Sequence, residues 1–238
     1  MEIKQFDTAD EVAEYAATNA IEILSEAIRT RGRAYWVLAG GTSPVVAYKI
    51  LAEKYGTALD WSKVVVAVGD ERCVELDDPA SNWGGIRSVF SSNRDTDAVV
   101  GIDPHAYLGG EEGAKVFETL LLDALGAELA GQPDLLWLGV GEDGHTLSFF
   151  PGHSEIDTVG ALAVAVHDSP KPPADRISLT LDAVAGSKHA LVFAVGAAKK
   201  DALARALSDS DELPIGYVSA AVEARGGHIT WAFDGSAR

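Results

Sequence analysis

The segment "PDLLWLGVGEDGHTLSFFPG", Pro133 to Gly152, decides between two kinds of α/β fold. Its apolar run "LLWL" reads as a buried strand. Gly139, Gly141 and Gly144 behind it spell G-x-G-x-x-G, the pattern of a dinucleotide-binding turn. That reading requires a crossover helix directly after the glycines and an acidic residue about 20 positions further on. Asp168 meets the second condition, but only "TLSFF" separates His145 from Pro151-Gly152, a pair that ends helices. No crossover helix fits, so the glycines are read as a sharp turn that presents His145, and no cofactor is expected.

Outward from this turn, short apolar runs recur: "AYWVLA" (34–39), "VVVAV" (64–68), "DLLWLG" (134–139), "ALAVAV" (161–166), "RISLTL" (176–181), "ALVFAV" (190–195) and "HITWAF" (228–233). Helical patterns lie between many of them, at about 44–54, 79–90, 110–129, 198–207 and 215–223. Thr8 with Glu11 makes a capping box ahead of an amphipathic helix over 9–30, and the N-terminal "MEIKQFDTADEVAEYAA" reads as polar and helical from its start. Near-continuous apolar strands alternating with helices predict an α/β fold, with a largely parallel sheet covered on both faces. The length fits a single domain over 1–238, with "GTALD" and "SDSDEL" as surface loops.

Acidic residues outnumber basic ones by 36 to 19, a formal charge of −17. Such a field opposes nucleic acid and anionic membranes as partners. No apolar stretch has membrane-spanning length and no signal segment is evident, and the single Cys73 agrees with a reducing compartment, so the expected location is the cytoplasm. One cysteine also forms no zinc cluster, and no metal site is expected. An anionic small substrate would need a pocket where the few cations converge.

Ligands of open α/β sheets bind at the carboxyl ends of the strands. In "WVLAGGTSPVVAYKIL" the strand stops at Gly40-Gly41, Ser43 is placed to cap the next helix and Pro44 to open it. Glycine-turn N–H groups with the Thr42 and Ser43 hydroxyls suit a phosphate; a plain helix cap is the alternative. In "VGDERCVELDDPASNW" the strand end carries Asp70, Glu71 and Arg72. The Arg72 fork suits phosphate or carboxylate, Asp70 suits sugar hydroxyls or proton transfer, and a Glu71–Arg72 surface pair is the alternative. Ser81 and Asn82 either cap the following helix through Phe90, or Asn82 reaches back into the pocket. His145 falls at the expected start of a short helical segment, whose dipole would keep the imidazole neutral, with Asp143 close enough to orient it. Pro170, Pro172 and Pro173 stiffen the segment presenting Lys171 and leading to Arg176, and Lys199 or Lys200 follows the strand that ends at Gly196.

Taken in order, "AGGTSP", "GDER" followed by "SN", "GVGEDGHTLSFFPG", "SPKPPADRISLTL", "LPIGYV" and "HITWAFD" resemble the 6-phosphogluconolactonase family, within the wider group that includes glucosamine-6-phosphate deaminase. The resemblance spans about residues 36–234. It implies a three-layer α/β/α sandwich with a Rossmann-like, mostly parallel mixed sheet, and hydrolysis of a sugar-phosphate lactone in the pentose phosphate pathway. It implies His145 as general base and Arg72, Arg176 and Lys199 as phosphate and sugar contacts. A monomer or small homo-oligomer is expected. Leu147, Phe149 and the doubled lysine at 199 and 200 depart from the pattern, and the last leaves open which lysine faces the pocket. The deaminases continue the DGH turn with Asn-Glu-Pro, where this chain reads Phe149-Phe150-Pro151. Sugar-responsive repressors of related fold need a DNA-binding segment, and no basic helix-turn-helix is present.

Overall fold

The computed structural model describes residues 1–105, 109–208 and 213–238, so most of the "SDSDEL" loop lies outside the described residues. Among the described residues there are ten strands: β1 (Glu2–Phe6), β2 (Ala34–Leu38), β3 (Val64–Val68), β4 (Asp70–Arg72), β5 (Val100–Gly101), β6 (Leu135–Gly139), β7 (Ala163–Val166), β8 (Arg176–Leu179), β9 (His189–Ala194) and β10 (His228–Asp234). The helices are α1 (Ala9–Arg31), α2 (Thr42–Lys54), α3 (Asn82–Phe90), α4 (Gly110–Ala130), α5 (Leu181–Val184), α6 (Lys200–Leu207) and α7 (Pro214–Ala224).

Seven strands form one sheet in the order β1-β10-β9-β6-β2-β3-β5, and every pair in it is parallel. The alternating side chains of β2 show how it is covered. Trp36 and Leu38 pack with Leu24 of α1, Leu51 of α2 and Phe90 of α3 on one face. Tyr35 and Val37 pack with Phe117 and Leu121 of α4 and Val218 of α7 on the other. Two buried faces explain why the central strands read as unbroken apolar runs. The capping box of α1 is present, with Glu11 N–H donating to Thr8 Oγ1 and Thr8 N–H to Glu11 Oε2, and Gly32 ends the helix at φ 78°.

Three readings need correction. The N-terminus is not helical from its start, because residues 2–6 pair with β10 as an edge strand. Glu2 and Lys4 conceal it, as charges on an edge strand do. "ALAVAV" and "RISLTL" do not enter the main sheet: β7 and β8 join β4 in a separate antiparallel sheet, order β4-β8-β7. The helix after Gly41 starts at Thr42, with Gly41 itself as cap at φ 92°. Ser43 is therefore not the cap and Pro44 is not the first helical residue.

Candidate active site

β9, β6, β2 and β3 are adjacent, so their carboxyl ends open side by side. There, beside the small sheet, lies a cleft with about 220 Å³ of space, lined by Gly40, Gly41, Thr42, Ser43, Asp70, Arg72, Asn82, His145, Arg176 and Lys199. Lys171 stands at the rim, its ammonium 3.9 Å from Asp143 Oδ1, and is not among the lining residues. Lys199 faces the cleft, whereas the exposed Lys200 opens α6.

The glycine turn behind β6 is closed by its own backbone. Gly144 N–H donates to the Gly141 carbonyl at 3.0 Å, and Gly141 N–H donates to the His145 carbonyl at 2.8 Å. Gly144 adopts φ 83°, a region that favours glycine. Gly141 is required for a different reason: a Cβ there would overlap both His145 Nδ1 and Asp143 Oδ1. These two atoms are hydrogen-bonded at 2.5 Å. With Nδ1–H committed to Asp143, Nε2 carries the lone pair a general base needs.

The neutral histidine was expected, but the expected cause is absent. No helix follows His145; the chain runs through turns to a 3-10 segment at Ser154–Asp157. Burial holds the imidazole below its ordinary pKa, opposed by Asp143 and Asp70 and reinforced by Lys171. Phe150 contributes to that burial, its ring centroid 4.8 Å from that of His145. For Asp143, burial pushes the pKa up, but the hydrogen bond and charge of His145 outweigh it, and the net value lies below the ordinary range. The pair is therefore a neutral imidazole on an ionised carboxylate.

The cations line the same cleft as the histidine, and Phe150 lies against both His145 and Arg176. β4 and β8 pair in register with Arg72 directly across from Arg176. Arg72 donates Nη1 to the Ala80 carbonyl at 2.7 Å, while its buried Nε has no hydrogen-bond partner. Arg176 is buried, held by the Pro173 and Lys171 carbonyls, with Nη1 3.5 Å from Asp70 Oδ2 and its guanidinium over the Phe150 ring. Burial lowers the pKa of Arg176 and also that of Lys199. No side chain caps α2, so the N–H groups of its first turn add positive potential at the cleft. Two guanidiniums, a lysine and an uncapped helix start together suit a dianion.

The alternatives left open for Glu71, Ser81 and Asn82 are decided here, and Tyr48 is a supporting residue that the sequence did not single out. Glu71 is no surface partner of Arg72: it is 3% exposed and accepts from Arg72 N–H, Asn82 N–H, Trp83 N–H and the Ser81 hydroxyl. It thereby ties the start of α3 to β4, and burial raises its pKa. Ser81 caps α3, so Asn82 is free to donate Nδ2 to the Asp70 carbonyl, packed where a Cβ on Gly40 would lie. Tyr48 Oη meets both N–H and C=O of Ala39 at 3.0 Å and fixes the end of β2 before the glycines. A lone buried tyrosine leaves no signal in a sequence.

No metal cluster was expected, yet His153, Glu155 and Asp168 bring three ligand-type atoms within 4.8 Å of one another. Asp168 is 78% exposed there, as surface carboxylates commonly are. No helix of the described residues is long and apolar enough to cross a membrane.

With this geometry in view, the chain compares with known proteins as follows. Residues 7–231 match the family model described as glucosamine-6-phosphate isomerases/6-phosphogluconolactonase. A protein of Oryza sativa subsp. indica named "Probable 6-phosphogluconolactonase 3, chloroplastic" is 33% identical over 96% of this chain and 72% of its own length. A 6-phosphogluconolactonase of Neisseria meningitidis serogroup A is 32% identical over 90% of this chain and 92% of its own. Among solved structures, a 6-phosphogluconolactonase from Shewanella baltica superposes with a TM-score of 0.82 at 29% identity, covering 98% of this chain and 97% of that one. The DGH turn, the arginine pair and the match across nearly the whole length agree, and the chain belongs to the family of glucosamine-6-phosphate isomerases and 6-phosphogluconolactonases.

Proposed function

We propose that this protein hydrolyses 6-phosphoglucono-δ-lactone to 6-phosphogluconate, the second step of the oxidative pentose phosphate pathway. The observation that carries the reading is the neutral His145, oriented by Asp143, in the same cleft as Arg72, Arg176 and Lys199. His145 Nε2 takes a proton from a water molecule as the water oxygen attacks C1 of the lactone. The imidazolium, stabilised by Asp143 and the more distant Asp70, then gives a proton to the ring oxygen as the C1–O bond breaks. The histidine ends neutral, and the hydroxy acid formed ionises in water. Arg72, Arg176, Lys199 and the Gly40–Ser43 turn hold the phosphate, Asn82 supports the wall of the cleft, and Asp70 accepts a sugar hydroxyl. Lys171 closes the rim beside Asp143.

Phe150 favours this reaction over amino-sugar deamination. It packs apolar surface against the imidazole at the position where the deaminases carry glutamate. The lone Cys73 supports a reducing compartment, and we assign the enzyme to the cytoplasm as a single-domain monomer or small homo-oligomer.

His145→Ala tests the assignment. The variant is expected to fold, to bind 6-phosphogluconate as the parent does and, after subtraction of spontaneous lactone hydrolysis, to lose about 10²-fold or more of its rate. Near-normal turnover would remove His145 from the mechanism. Release of ammonia from glucosamine-6-phosphate by the unaltered protein would move it to the other branch of the family.

A further inference from the structure

We infer that Ser148 is a positioning residue for Asp70, locking the loop that carries His145 onto the strand that carries Arg72. The inference rests on the lactonase reading above. Ser148 is fully buried three residues beyond His145, and its hydroxyl donates to Asp70 Oδ2 at 2.7 Å across 78 positions of sequence. Buried serines with purely local roles bond near neighbours, as Ser187 does to the Val184 carbonyl. Ser148 is itself held from behind. Its N–H donates to Ser178 Oγ at 3.2 Å, and Ser178 Oγ donates to the Leu179 carbonyl at 3.0 Å.

The consequence concerns which oxygen of Asp70 is available. The hydroxyl of Ser148 and Nη1 of Arg176 both approach Oδ2, while among the described residues Oδ1 has no hydrogen-bond partner. Asp70 lines the cleft. A carboxylate anchored through one oxygen presents the other in a fixed direction, which is what a group meeting a sugar hydroxyl or a developing charge requires. Arg176 does not supply the anchor. At 3.5 Å its contact is long, and its other nitrogens are committed to the Pro173 and Lys171 carbonyls. The short, directional bond comes from Ser148.

A double-mutant cycle on kcat tests this, using Ser148→Ala, Asp70→Ala and the pair. Ser148→Ala is expected to lower kcat about tenfold, as befits a lost hydrogen bond to a charged group, and to leave KM within about twofold. KM is spared because Arg176 keeps its two backbone acceptors. In the Asp70→Ala background, Ser148→Ala should cost nothing further. An equal loss in both backgrounds, no loss in either, or a loss confined to KM would overturn the inference. If the alanine variant does not fold, the cycle is run with Ser148→Cys, whose thiol is a weak donor of similar size. Failure of both to fold would make the serine structural and also overturn it. An active parent with an additive cycle rejects this inference alone, whereas a parent without lactonase activity rejects the reaction assigned above and this inference with it.

Discussion

A methyl group added at Gly141 would collide at once with both members of the proposed catalytic pair, His145 Nδ1 and Asp143 Oδ1. The backbone of Gly141 lies outside the left-handed region, so Gly141→Ala carries no conformational strain of its own. The cost falls on the pair. Ordinary contact begins near 3.4 Å, so each atom must give way by about 1 Å or more. The imidazole has little room to move, with the Phe150 ring 4.8 Å away between centroids. A misplacement of about 1 Å costs on the order of 10²-fold in rate, or about 2.7 kcal/mol of transition-state stabilisation. The atoms nearest that methyl belong to His145 and Asp143, not to Arg72, Arg176 or Lys199, and product affinity should hold. Acid release from the lactone, corrected for spontaneous hydrolysis, gives kcat, and titration with 6-phosphogluconate gives Kd. A wild-type kcat, or a loss of product binding as large as the loss of rate, would refute the argument.

Other expectations follow from the same geometry. Arg72→Lys keeps the charge but loses the planar fork, so KM should rise several-fold or more, and unchanged kinetics would exclude Arg72 from the site. Because burial depresses the His145 pKa, activity should be lost as pH falls through a midpoint below the ordinary imidazole value of 6.5; a kcat/KM profile with its acid limb above 6.5 would contradict this. Chelator treatment followed by desalting should leave activity intact, and a loss restored by a divalent cation would give the His153, Glu155 and Asp168 group a role.

The central strands were legible because β2, β3, β6 and β9 are buried on both faces, and burial on both faces writes itself as an apolar run. β4 was not, since Asp70-Glu71-Arg72 has the composition of a surface loop and becomes a strand only through its pairing with β8. The candidates at the strand ends could be named because glycine turns mark those ends, and Arg72, Asn82, His145, Arg176 and Lys199 line one cleft. Their electrostatic causes were less accessible. A helix after His145 was a reasonable extension of local pattern, but Leu147 at φ 52° breaks it, and its side chain packs where a Cβ on Gly69 would lie. The doubled lysine is symmetric in sequence, and only the direction in which the chain enters α6 distinguishes Lys199 from Lys200.

The register that sets Arg72 opposite Arg176 has a mechanical consequence. Paired residues on adjacent strands project to the same face, and two like charges there push their strands apart. A phosphate seated between the guanidiniums turns that repulsion into a cross-link. Substrate would then act as a removable rivet on the three-stranded sheet, firm while the phosphate is held and loosened when product departs. Amide exchange in β4 and β8 should slow when 6-phosphogluconate is bound, while β2 and β6, buried within the large sheet, keep the rate they had.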